Sequence, residues 1–201
     1  MNDLVIDMHI DKEPLRLRLT DDRVINVTGE GGSGKTYYCR QFRDNPDYFV
    51  IDYDVIILGE CKEGSIEYKV RETLIQKYGV EIFKPISRED MMVKFSIIYE
   101  EILEMLLPLD KIIVLDGTQL RFIDDIDKIV GELIVLRPSI DTCVERSVKR
   151  KIESNPSMME DEIKKYEMKR RRVLCDLNPL LNELIIKAFK KAEEVKGMNL
   201  S

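Results

Sequence analysis

Apolar residues along the chain fall into short runs separated by longer stretches with helical spacing. Residues 4–10 and 15–19 alternate apolar and polar positions on either side of Asp11-Lys12-Glu13-Pro14, which predicts an N-terminal β-hairpin. Residues 23–28 predict a short buried strand, followed by a glycine-rich segment and a helix from Lys35 to about Phe42. Residues 48–52, rich in β-branched and aromatic side chains, predict a second strand buried on both faces. Residues 111–116 and 132–136 predict a third and a fourth. In the middle of the chain Ser65 caps a helix running to about Lys77, with Gly79 just past its end. Ser87 and Asp90 open a longer helix that Pro108 closes. Three more helices are expected at 139–152, 158–175 and 178–195, the last capped by Asn178 with Pro179 in its first turn.

Strands that alternate with helices, each strand nearly all apolar, predict an α/β fold: a parallel sheet in the middle of three layers. With 201 residues, 44% of them hydrophobic, one domain spanning 1–201 is the default. No apolar run approaches the roughly 20 residues that cross a bilayer. The first residues, Met1-Asn2-Asp3-Leu4, lack the basic-then-apolar order of a secretory signal. A cytoplasmic protein with no membrane partner is expected. Cys39, Cys61, Cys143 and Cys175 have no zinc-like spacing, and suit reduced thiols that are mostly buried.

Charge and histidine content narrow the chemistry. His9 is the one histidine, so acid–base work falls to carboxylates, and any metal is expected to be a hard, oxygen-bound ion such as magnesium. The net charge is −6, yet residues 137–201 carry 15 basic and 11 acidic side chains, which leaves about −10 on the rest. An acidic chain is a poor partner for long nucleic acid, and a small-molecule acceptor is the expected partner.

Gly29-Glu30-Gly31-Gly32-Ser33-Gly34-Lys35-Thr36 matches G-x-x-x-x-G-K-[ST] after an apolar strand and before a helix. Glycines let backbone N–H groups turn around phosphates, and the helix N-terminus favours the anion. Lys35 can reach the β- and γ-phosphates of ATP, and the Thr36 hydroxyl can bind magnesium. Asp52 and Asp54, where the second strand ends, can deprotonate an acceptor hydroxyl or steady that magnesium. Asp116, delivered by the third strand, is placed to do the same for the metal.

The spacing Gly29-x-x-Gly32-x-Gly34-Lys35-Thr36 resembles that of P-loop kinases of small molecules, nucleosides and nucleotides. Asp116-x-Thr118-Gln119 resembles the D-x-T-N/Q segment of the zeta-toxin and polynucleotide-kinase-like group of those kinases, although Gln119 stands where asparagine is commoner. The resemblance covers about 24–172 and implies a P-loop NTPase fold of the nucleotide-kinase type with a helical lid at about 146–172. It also implies that Asp54 is the general base and that Arg146 and Arg150, one helical turn apart, belong to the lid. Asp52-Tyr53-Asp54 and residues 78–83 are also similar to dephospho-coenzyme-A kinases, but the His-Pro pair expected there is missing.

Phosphoryl transfer needs cations around the γ-phosphate and exclusion of water. Arg146 and Arg150 can supply that charge, and Arg137, after the fourth strand, can approach the nucleotide. In Lys169-Arg170-Arg171-Arg172 the last two are expected to pair with Glu162 and Glu167 on a helix exterior. Tyr37 and Tyr38 are expected to pack. The expected function is ATP- and magnesium-dependent transfer of the γ-phosphate to an acceptor hydroxyl, with Asp52 and Asp116 organising the metal or substrate. An ATP-binding regulator without transfer is the alternative. The acceptor should meet residues 55–110, which offer Tyr68, Arg71, Arg88 and Lys94.

Overall fold

The computed structural model describes residues 13–123 and 125–198, so the first arm of the expected hairpin lies outside the described residues. Five strands form one sheet in the order β1-β5-β2-β4-β3: β1 Leu15–Arg18, β2 Val24–Gly29, β3 Tyr48–Asp52, β4 Ile112–Asp116 and β5 Glu132–Leu136. The last four run parallel, but β1 pairs antiparallel with β5, so the sheet is mixed. The connection explains this. A parallel return needs a crossover of about a dozen residues or more, whereas residues 19–23 are all that separate β1 from β2.

The central position of β2 comes from its composition. Side chains alternate across a strand, and Val24 and Asn26 face one layer while Ile25 and Val27 face the other. On the second face α1, Lys35–Arg43, covers Val27, Val114 and Ile134 with Cys39 and Phe42. On the first face lie α2 Tyr53–Leu58, α3 Ile66–Tyr78, α4 Arg88–Leu106 and the later part of α6, Glu160–Met198. Each fully buried leucine or isoleucine there contributes about 1.5–3 kcal/mol. Buried Asn26 is satisfied by the Val130 carbonyl and by the Tyr99 hydroxyl, so the large core contains no orphaned amide at this point.

Besides the parallel sheet, which proves mixed, three sequence expectations change. β3 packs on both faces, Phe49 and Ile51 in the large core and Tyr48 and Val50 on the α1 side, but as an edge strand it is half-buried and not fully buried. The expected helices at 158–175 and 178–195 are one continuous helix, α6, with Pro179 inside it and not at its start. Leu174 anchors the helix before the proline against α5, Ile140–Ser154, and Leu181, Leu184 and Ile185 anchor it after the proline in the main core. Packing on both sides outweighs the hydrogen bond that proline removes. The acidic pair is also split: β3 ends at Asp52, and Asp54 belongs to α2. Caps at Ser65 and Ser87 are as expected, each accepting a backbone N–H from three residues ahead. Among the described residues no helix is long and apolar enough to cross a membrane.

Candidate active site

The site lies where the chain reverses direction across the sheet. From β2 the chain winds outward to β3 on one side, and its last crossover returns to β5 on the other, so the C-terminal end of β2 faces a crevice. The glycine-rich segment occupies that end. Gly34, at φ +98°, turns the chain into α1, a conformation that costs a side-chain-bearing residue strain. Gly32 is required for a different reason: a Cβ there would lie 2.4 Å from the Cys143 carbonyl oxygen of α5. Helix α5 therefore rests directly on the loop.

Lys35 is almost fully buried and folded into the loop. Its Nζ donates to the Gly29 and Glu30 carbonyls at 3.1 and 3.4 Å and to Thr118 Oγ1 at 2.7 Å. Burial pulls its pKa down, opposed by the nearby Asp54 and Asp116 carboxylates. Thr118 lies in the 3₁₀ turn Thr118–Phe122 that follows β4. The backbone N–H groups of Thr118 and Gln119 donate to the two oxygens of Asp54 at 3.0 and 3.1 Å. A continuous chain of contacts thus links the loop lysine to the Asp54 carboxylate.

The other carboxylates stand beside this chain. Asp52 and Asp116 are register partners on β3 and β4, so they end adjacent strands side by side. Asp52 caps α2 by accepting from Val55 N–H, and burial raises its pKa. Asp116 is 2% exposed, and its Oδ2 has no hydrogen-bond partner. Burial raises its pKa to about 6, with Lys35 and the Thr36 hydroxyl opposing and Asp52 and Asp54 reinforcing. Among the described residues no three His, Cys, Asp or Glu side chains form a metal cage.

An open cleft of about 1080 Å³ gathers most of the sequence-predicted residues. Gly31, Gly32, Gly34, Lys35 and Thr36 of the loop line it together with Asp52, Asp54 and Asp116 and with Arg146, Lys149 and Arg150 of α5. Arg146 Nη1 donates to the Gly32 and Ser33 carbonyls. A more apolar pocket adjoins it, lined by Tyr38, Gln41 and Leu136 and sharing Gly34, Tyr37, Arg40 and Arg146 with the cleft. Tyr37 does not pack as expected: it is 76% exposed because its side of α1 faces these openings, not the sheet. Tyr38 does pack, edge-on to Phe42.

Some residues fall elsewhere. Arg137 is half-buried after β5, outside the cleft lining, with Nη1 buried and unpartnered. From residues 55–110 the cleft takes Val55, Leu58 and Glu60. Arg71 instead donates to the Ile56 carbonyl and stacks on Phe83, while Lys94 pairs with Asp90. Arg171 pairs with Asp141 as well as Glu167, and Arg172 with Asp176 in place of Glu162. Cys39 and Cys143 are buried, which pushes their thiols up to about 12 and about 11, and Cys175 is exposed.

Two contacts were not expected from the sequence, although Glu30 and Arg170 stand in segments it singled out. Glu30, inside the loop, forms a buried ion pair with Arg121 Nη1 at 2.7 Å. A carboxylate buried in this loop needs a neutralising cation, so the need was readable, though not its source 91 residues away. Arg170 of α6 packs on Gly31 so tightly that a Cβ there would lie 1.8 Å from its Nη2. No protein-family model matches the chain, and no curated protein is significantly similar to it.

Proposed function

We propose that the chain is a P-loop phosphotransferase that moves the γ-phosphate of ATP to a hydroxyl of a small acceptor. The observation that carries this reading is the Lys35–Thr118–Asp54 chain, which joins a phosphate-gripping lysine to a cleft-lining carboxylate. A loop that only held a nucleotide would have no need to orient a carboxylate beside its lysine.

In this reading the loop N–H groups and Lys35 bind the phosphates. The nucleoside extends into the apolar pocket by Tyr37 and Leu136, against the exposed Tyr37 ring. Asp54, oriented by two backbone N–H groups, takes the proton of the acceptor hydroxyl as its oxygen bonds to the γ-phosphorus. The bridging β–γ oxygen leaves with ADP. Arg146 and Arg150 offset the charge on the transferring group and keep α5 over the loop, which excludes water.

The residues present fit magnesium. Asp116 Oδ2 is buried without a partner beside Thr36, and Asp52 adjoins it. A magnesium ion bound largely by phosphates and water needs only one or two protein ligands. When bound it supplies positive charge to the phosphate oxygens.

ATP consumption across nucleosides, nucleotides, sugars, dephospho-coenzyme A and 5′-hydroxyl oligonucleotides tests the proposal. Turnover should rise at least tenfold with one acceptor class and fall to background in Lys35→Ala. Tight ATP binding with no acceptor-stimulated turnover would instead make the chain an ATP-binding regulator.

A further inference from the structure

Beyond the cleft, a second opening of about 390 Å³ lies between α5 and the first part of α6. Its lining includes Arg150, Lys151 and Arg170 and the hydroxyls of Ser154 and Tyr166, and contains no carboxylate. On the same helices Arg171 pairs with Asp141 and Glu167, Arg172 with Asp176, and Lys164 with Glu160, so acids are at hand elsewhere but not in this opening. Among the described residues Arg150, Lys151 and Arg170 make no ion pair. Three cations line one opening with no acid between them, an arrangement that favours an anion over a cation there.

Arg170 supplies an independent observation. Its Nε is buried with no hydrogen-bond partner, which is costly for a charged group. The end of its guanidinium lies against Gly31, where a Cβ would oblige the arginine side chain to shift. Arg150 lines both the cleft and this groove, so the two openings are neighbours across one side chain. A planar guanidinium presents paired donors that match phosphate oxygens, and Arg150 and Arg170 approach from two helices.

We propose that the α5–α6 groove is a second phosphate-binding site, separate from the loop's own cradle, and that it takes a phosphate monoester. Arg150, Lys151, Arg170 and the Tyr166 hydroxyl hold its oxygens. If the phosphotransferase reading stands, the site selects acceptors that already carry a phosphate. A free inorganic phosphate has the same chemistry and would act there as a regulator.

Titrating inorganic phosphate into the full chain, followed by calorimetry, tests the site without any nucleotide. Lys35→Ala should bind phosphate in the groove as the wild type does, whereas Lys151→Ala combined with Arg170→Gln should weaken binding at least tenfold. Tyr166→Phe and Lys151→Ala alone, which leave the Gly31 contact intact, should each weaken it several-fold. Loss of phosphate binding in Lys35→Ala with no effect of the groove variants overturns the proposal, as does no binding to the wild type. The source follows from turnover. A KM raised several-fold by Lys151→Ala for phosphorylated acceptors alone assigns the site to the acceptor, and binding without that KM effect assigns it to free phosphate. A wild type that binds phosphate but not ATP retains the groove and refutes only the phosphotransferase reading.

Discussion

Asp116 shows how burial sets the chemistry of a single residue. With its pKa near 6 in the folded chain and near 4 in an unfolded one, it favours the fold while protonated. That contribution is complete below about pH 4 and is lost as pH rises through about 6. Relative to Asp116→Asn, the wild type should therefore lose about 2 kcal/mol of stability between pH 4 and pH 7. Urea midpoints of the two proteins across that range check this, and a constant difference would contradict it. Occupation by magnesium should strengthen over the same interval, since only the ionised carboxylate is a ligand. Other residues resisted reading for a related reason. Lys35 and Thr36 follow from local spacing, but the Glu30–Arg121 pair and the seat of Arg170 on Gly31 join distant segments. Neither contact leaves a local pattern in the sequence.

Elements were legible where short-range chemistry decides them. β5 at Glu132–Leu136 and the caps of α3 and α4 follow from apolar runs and from Ser65 and Ser87. They were not legible where tertiary packing overrides a local signal. Asn178-Pro179 has the form of a helix start, yet α6 passes through it. This leads to a sharp expectation for Pro179→Ala. A proline inside a helix costs about 3 kcal/mol relative to alanine, whereas one in the first turn costs almost nothing. The substitution should raise stability by about 1–3 kcal/mol in chemical denaturation, and Asn178→Ala should be near neutral. A helix that began at Asn178 would give the reverse, with no gain from Pro179→Ala and a loss of about 1 kcal/mol from Asn178→Ala. The position of Asp54 shows the same limit: the residues 50–54 read as a strand end, but Asp52 caps α2 and so carries Asp54 onto a helix.

At the scale of the whole molecule, the α/β architecture follows from alternating apolar and helical segments, and the mixed sheet depends on the short link before β2. That architecture brings the loop, the carboxylates of β3, α2 and β4, and the cations of α5 to one cleft. The proposed activity needs all three contributions at once. The central claim, that Lys35 grips ATP while Asp54 serves the acceptor, is tested most directly by calorimetric titration of magnesium ATP beside γ-phosphate transfer in the same preparations. Lys35→Ala should bind ATP about a hundredfold more weakly than wild type, through loss of charge-assisted hydrogen bonds. Asp54→Asn should bind ATP within about threefold of wild type and transfer nothing. Unchanged ATP affinity in Lys35→Ala, or full transfer by Asp54→Asn, would contradict the account.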